Sequence, residues 1–196
     1  MRQRDEHKIQ QVHQKALELI VHEGLNGFSM QKLAKAAGVS PATLYIYYKD
    51  KDDLILKIGI DEGKRMAEAT MRNFDPSLSF SEGLRVQWRN RADYWLNNPL
   101  SIQYYEHLRH SPFRERIFES THQDFATIMG EFVHNAVKNR ELNPMSVEVF
   151  WSLAYAPLMS LIRFHHDGVS IGNRPFNFSD EAMNEALDLV LKAFKP

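Results

Sequence analysis

The chain has 196 residues, 43% of them hydrophobic and 25% charged, with a formal net charge of −1 and no cysteine. That length suits one or two small domains that each bury a core, and the composition is that of a globular protein. The charge balance excludes a generic polyanion binder, and the missing cysteines exclude disulfides, thiolate metal sites and a cysteine nucleophile. No apolar run approaches the ~20 residues needed to cross a bilayer, and Met1 to Glu6 lead into no apolar core of the signal type. A cytoplasmic chain with no membrane partner is therefore expected.

Helical periodicity runs through almost the whole sequence. Ile9, Val12, Ala16, Leu19 and Ile20 recur at three- and four-residue steps, which predicts a helix from about Lys8 to His22 that stops at Gly24. Ser29 is a good N-cap for a short helix from Met30 to Ala37, with Phe28 placed to staple onto Leu33. Gly38 allows a positive-φ bend, and Ser40 then caps a second short helix whose first residue is Pro41. Asp50 caps a longer helix from Lys51 to about Asn73, with Asp52 and Asp53 in its first turn. Pro76 and the serines around it mark the next break. Further helices are predicted over 81–97, 99–109, 114–138, 146–167 and 179–194, about nine in all, with a loop over 168–178. The fold class is all-α.

Two short helices joined by a tight turn, after a longer one, form the helix-turn-helix pattern, whose second short helix lies in the DNA major groove. In that helix, 41–48, Leu44 and Tyr48 are four residues apart and face the core. Thr43 and Tyr47, also four apart, fall on another face. Thr43 offers a hydroxyl and a methyl to base edges, Tyr45 and Tyr47 offer hydroxyls to phosphates, and Lys51 brings a charge to a helix N-terminus. Charge points the same way: residues 1–60 carry nine Lys/Arg against seven Asp/Glu (+2), and the other 136 carry fifteen against eighteen (−3).

The string from Phe28 to Leu54, with Ala37-Gly38-Val39-Ser40, then Thr43-Leu44-Tyr45, an aromatic pair at Tyr47-Tyr48, and Lys51 followed by acids and Leu54, closely resembles the signature of the tetracycline-repressor (TetR) family. The resemblance covers roughly residues 9–58. It implies a homodimer with a DNA-binding domain over 1–58 and a ligand-binding and dimerisation domain over 59–196. It also implies a DNA-facing set of Gln31, Ser40, Pro41, Ala42, Thr43, Tyr45, Tyr47 and Lys51. Pro41, Ala42 and Ile46 stand where relatives often carry longer polar or basic side chains. Specificity is therefore expected to lean on thymine methyls, on Gln31 and Thr43, and on DNA shape.

The carboxy-terminal half is dense in aromatics, which are expected to fill a core and to wall an apolar pocket between helices. Trp88, Tyr105, Phe125, Met129 and Tyr155 are the candidate effector-binding residues. Pro157 falls inside a predicted helix and frees the carbonyl of Leu153, either opening room for a ligand or adjusting the packing. Trp151, Leu158 and Ile162, with Leu187, Leu191 and Phe194, are the candidate dimer interface, in a four-helix arrangement shared by two copies.

Neither an enzyme nor a metal or cofactor site is expected. Glu119/His122 and Glu131/His134 each fit a Glu-x-x-His element, but they sit roughly 18 Å apart on what reads as one helix. His107/His110 and His165/His166 lack a third ligand, and no phosphate loop or nucleophile elbow is present. The sequence thus predicts a ligand-responsive transcriptional regulator, a repressor released from a palindromic operator by a small apolar or aromatic effector. The alternative is a small-molecule-binding helical protein whose DNA-reading function is lost or repurposed.

Overall fold

Ten α-helices form among the residues described by the computed structural model, which covers the backbone of residues 2–196 and the side chains of residues 8–196. They are α1 (Arg2–Gly27), α2 (Met30–Ala36), α3 (Pro41–Tyr47), α4 (Lys51–Thr70), α5 (Phe80–Asn97), α6 (Pro99–Leu108), α7 (Phe113–Thr121), α8 (Gln123–Lys138), α9 (Val147–Asp167) and α10 (Asp180–Phe194). The expected loop after α9 holds a minimal hairpin in which Val169–Ser170 pairs antiparallel with Arg174–Pro175. The fold is all-α.

Gly24 interrupts α1 as expected: its φ of 71° and ψ of 170° are non-helical, a conformation that glycine adopts readily, and a short helical segment follows to Gly27. One boundary differs from the sequence expectation. The predicted helix over 114–138 is two helices, separated at His122. Its halves bury apolar residues in different packing units, Phe113 and Ile117 in one and Met129, Phe132 and Ala136 in the other. The two Glu-x-x-His elements therefore stand on separate helices.

The chain packs as two compact units. Unit 1 holds residues 1–65 and 98–121, and unit 2 holds 66–97 and 122–196. Unit 1 thus contains the helix-turn-helix together with α6, α7 and about the first four turns of α4. The division after residue 58 that the resemblance implies and these packing units are different partitions of the chain.

The core of unit 1 is built on Ala16, Ile20, Phe28, Leu33, Leu44, Leu54, Ile55 and Ile58, all almost wholly buried. Each such aliphatic or aromatic side chain stabilises the fold by ~1.5–3 kcal/mol. α7 lies so close to α4 that a Cβ at Gly59 would come 2.2 Å from Cδ1 of Ile117, and one at Gly63 would come 2.7 Å from Cγ2 of Thr121. The Tyr104 hydroxyl of α6 donates to the carbonyl of Ile55 at 2.7 Å.

Between these helices sits a buried carboxylate, Glu62. His13 Nε2 donates to its Oε1 at 2.9 Å, Arg65 Nη1 donates to the same oxygen at 3.0 Å, and the Ser101 hydroxyl donates to Oε2. Burial pushes the Glu62 carboxyl up, but the hydrogen bonds from His13 and Ser101 and the neighbouring charges outweigh it, so the group is held below its ordinary value.

Unit 2 packs α5 against α8, α9 and α10. Phe80, Phe132, Phe150 and Phe194 form its aromatic centre, with ring centroids 5.3–6.4 Å apart in the contacts Phe80 makes with the other three. Pro157 lies inside an unbroken α9, and one turn earlier the carbonyl of Ala154 accepts from the Trp88 indole at 2.7 Å. The carbonyl that the proline frees is that of Leu153, the residue before this interhelical acceptor. α9 is long and apolar enough to cross a membrane by length and composition. Its Phe150, Ala154, Tyr155, Leu158 and Ile162, however, are buried in unit 2.

Glu62→Ala should destabilise the protein by about 3–5 kcal/mol, because it leaves His13 and Ser101 buried without their acceptor. The lowered Glu62 value means that its contribution is full above the ordinary glutamate value near ~4.3 and is lost as pH falls through the lower folded value. Thermal melts of wild type from pH 7 to 3 should show that loss, and the variant's melts should lack it.

Candidate functional site

The turn between α2 and α3 is assembled by local capping. The Ser29 hydroxyl accepts from the Lys32 amide at 3.3 Å and starts α2. Gly38 takes φ 65° at the bend, and the Val39 amide returns to the carbonyl of Ala34 at 3.0 Å. The Ser40 hydroxyl then accepts from the Thr43 amide at 3.1 Å and starts α3 at Pro41. These are the caps expected from the residue types.

Within α3, Leu44 and Tyr48 enter the unit 1 core, as their spacing requires. That anchors the helix by one face and leaves the opposite face outside. Pro41 and Ala42 are exposed, Tyr45 is 54% exposed and Ile46 is 75% exposed. Gln31 on α2 and Ser40 at the cap are exposed on the same motif, while Thr43 and Lys51 are half-buried.

Two of the predicted contacts take a different form from the one spacing suggests. Tyr47 is half-buried and packs on the edge of the unit 1 core, rather than standing clear of it. The Thr43 hydroxyl lies 2.9 Å from that of Ser40, so the two share a hydrogen bond that a base contact would have to replace or extend.

The junction of α3 and α4 has the Asp50 cap expected from the sequence and adds the Asp53 and Lys57 contacts, which the sequence reading missed. The Asp50 carboxylate accepts from the Asp53 amide at 2.8 Å, and the Asp53 carboxylate accepts from the Lys49 amide at 2.9 Å, a reciprocal capping pair. Lys57 reaches back one turn to Asp53 at 2.9 Å and to the last helical carbonyl of α3, that of Tyr47, at 3.0 Å. Its ammonium also sits 5.7 Å from the Tyr48 ring centroid. The Lys49 amide and the Lys57 ammonium both hold the Asp53 carboxyl below its ordinary value. The signal was present as an Asp-x-x-Asp cap followed by an i,i+4 lysine. Among the described residues Lys35, Lys49 and Lys51 carry ammonium groups with no ion pair, close in sequence to the exposed end of α3.

The predicted effector residues divide between the packing units. Tyr105 lies in unit 1 on α6, at the edge of the core that holds Tyr104. Trp88, Phe125, Met129 and Tyr155 lie in unit 2. Phe125 and Tyr155 stand with Trp151 around Arg91 of α5, whose guanidinium carbon is 5.5, 4.2 and 5.4 Å from their respective ring centroids. Trp88 is wholly buried and engaged with Ala154, and Met129 is buried on α8.

Of the predicted dimer residues, Leu158, Ile162, Leu187 and Phe194 are taken up inside unit 2, and Leu191 is half-buried. Trp151 remains 43% exposed. The large apolar side chains that α9 and α10 present outward are Val147, Val149, Trp151, Leu153 and Leu189.

Residues 14–58 match the model of the bacterial regulatory proteins of the tetR family. An uncharacterised helix-turn-helix transcriptional regulator of Haemophilus influenzae is 32% identical over 111 residues, 55% of this chain and 59% of that protein, so the match spans little more than half of the relative. Over nearly the full length, the structure superposes on a TetR-family transcription regulator from Marinobacter aquaeolei with a TM-score of 0.81 and 27% identity, covering 99% of this chain and 98% of that one. A Bacillus subtilis transcriptional regulator solved with stearoyl-CoA shares the fold at a TM-score of 0.74 and 17% identity, with coverage of 95% and 99%.

Lys57→Met should leave the fold intact, with a cost below about 1 kcal/mol as for other exposed pairs. It should speed hydrogen exchange at the α3–α4 junction, read at the amides of Lys49 and Asp53. Unchanged exchange there would mean that Lys57 does not hold the junction.

Proposed function

We propose, since the chain belongs to the TetR family of bacterial regulatory proteins, that it is a cytoplasmic transcriptional repressor. In this reading it binds a palindromic DNA operator as a homodimer and leaves it when a small molecule occupies unit 2. The observation that carries the reading is the anchoring of α3. Leu44 and Tyr48 fix the helix from inside, while Pro41, Ala42, Tyr45 and Ile46 are held outward beside Gln31 and the Ser40 cap. A short helix presented this way fits the major groove, and its N-terminal residues reach base edges.

Roles within the site follow from chemistry. Gln31 and Thr43 supply the hydrogen bonds to bases, while Pro41, Ala42 and Ile46 supply apolar surface for thymine methyls. Ser40, Tyr45, Tyr47 and Lys51, joined by Lys49, position the helix on phosphates and carry no sequence information themselves. Two reading heads need a two-fold partner. The outward apolar side chains Trp151 and Leu153 of α9 and Leu189 of α10 are the surface on which a second copy would pack.

The effector reading draws on the aromatic-rich centre of unit 2 and on the Bacillus subtilis neighbour, whose structure holds an acyl-CoA in the same fold. Ligand release of DNA requires unequal affinity for two dimer states. The second reading, a small-molecule binder that no longer reads DNA, is favoured by one observation: α3 offers Thr43 and few other hydrogen-bonding readers.

Selection of bound duplexes from a random pool, without added ligand, should enrich a palindrome; a folded dimer that enriches nothing would leave the second reading standing. On the selected operator, Lys51→Ala should weaken all sequences alike and lower the log–log salt slope by roughly one per subunit. Thr43→Ala should instead relax preference at particular base pairs. Equal behaviour of the two variants would overturn this division of roles.

A further inference from the structure

Arg91 is 5% exposed and sits among three aromatic rings supplied by two other helices, Phe125 of α8 and Trp151 and Tyr155 of α9. Its Nε and Nη2 have no hydrogen-bond acceptor, and among the described residues no carboxylate forms an ion pair with it. Neighbouring arginines on the same helix behave differently: Arg85 pairs with Asp188 at 2.7 Å and Arg89 with Asp180 at 2.8 Å. The Tyr155 hydroxyl, also buried, falls short of hydrogen-bonding geometry. Burial pushes that phenol above its ordinary value, and the adjacent Arg91 guanidinium, through its charge and its N–H groups close to the hydroxyl, opposes the shift. One turn before Arg91, the wholly buried Gln87 spends its amide nitrogen on the carbonyl of Thr70 at 2.9 Å and leaves its oxygen unpaired.

A buried cation with no counter-charge is costly, and three ring faces offset only part of that cost. A guanidinium maintained for packing alone would be replaced without loss by an apolar side chain of similar length. The identity of the unpaired nitrogens is informative. Nε and Nη2 share one edge of the planar guanidinium, and their parallel N–H bonds match the two oxygens of a carboxylate. A single guanidinium balances a single negative charge, and the surrounding rings favour an apolar or aromatic body next to that head.

We infer that Arg91 is the anion-reading group of unit 2, and that the ligand it takes is an amphiphilic monocarboxylate bound bidentately through Nε and Nη2, its body lying against Phe125, Trp151 and Tyr155. This rests on the reading of unit 2 as the effector site and names the chemistry that site selects. Arg91 then plays two parts: it pays for burial with bound ligand, and it rejects uncharged analogues by leaving its donors unpaired.

The test uses the full chain and matched probes that differ only at the head: 3-phenylpropionate against 3-phenylpropan-1-ol, and octanoate against octan-1-ol. Binding is read by calorimetry and by quenching of tryptophan fluorescence. Wild type should bind each acid roughly ten- to a hundredfold more tightly than its alcohol. Arg91→Met should abolish that preference, and without ligand it should melt at or above the wild-type temperature, because it removes an uncompensated buried charge. Arg91→Lys, which keeps the charge but loses the fork, should retain only part of the preference. Acids and alcohols bound equally, no binding of either acid, an acid preference that survives in Arg91→Met, or a Met variant that melts well below wild type would each overturn the inference. Operator affinity measured with and without the acid separates the two readings: tight, Arg91-dependent acid binding that leaves DNA binding unchanged sustains the anion site and removes ligand gating instead.

Discussion

Glu62 ties together three helices that local sequence alone would leave independent. Its two carboxylate oxygens are shared among His13 of α1, Arg65 of its own helix and Ser101 of α6. A buried carboxylate persists only when its lone pairs are satisfied, so the positions of α1, α4 and α6 are coupled by a geometric requirement stricter than apolar contact. The glycines at 59 and 63 lie one turn before and next to Glu62 along α4 and couple a further helix to it, since only a residue without Cβ admits α7 at that distance. The reading helix inherits this rigidity. α3 is held by Leu44 and Tyr48 in the same core and by the Lys57 bridge from α4.

The two halves of the molecule use polar burial in opposite ways. In unit 1 the buried charge is neutralised and hydrogen-bonded within the protein, which is the condition for a rigid scaffold. In unit 2 the buried charge of Arg91 meets three ring faces and the Tyr155 hydroxyl but, among the described residues, no carboxylate, and Gln87 leaves an oxygen unpaired on the same helix. Incomplete satisfaction is tolerated where a function draws on it, and natural proteins place such costs at binding sites. On the proposed function, unit 1 would have to hold its shape to read DNA, whereas unit 2 would gain from interactions that only a ligand completes.

The outward surfaces carry the same division. The exposed side of α3 is poor in hydrogen-bonding groups, so on the proposed function discrimination there would depend on methyl contacts and DNA shape together with Gln31 and Thr43. Among the described residues Lys35, Lys49 and Lys51 near it form no ion pair, whereas Lys57 is paired with Asp53. On α9 and α10 four of the expected interface side chains, Leu158, Ile162, Leu187 and Phe194, are already committed to the protomer's core. A second copy would meet the thinner stripe of Trp151, Leu153 and Leu189, and its packing there would not disturb the aromatic centre beneath.

Sequence alone determined the elements whose causes are local. Caps at Ser29 and Ser40, the positive-φ glycine at Gly38 and proline at the first position of α3 act within four residues, and they specify the helix-turn-helix and the face that Leu44 and Tyr48 bury. What the tertiary structure decided depends on neighbours distant in the chain. The division of 114–138 into α7 and α8 follows from burial in two separate units. The half-burial of Tyr47 follows from the core it meets at its edge. Arg91 gave no signal in the sequence, because an arginine on an amphipathic helix normally reaches solvent or a nearby acid. Its isolation arises from rings placed 34 to 64 residues further along the chain. Periodicity reveals which face of a helix is apolar, but which polar group ends beneath that face, and whether anything in the protein pairs with it, is settled only when the helices pack.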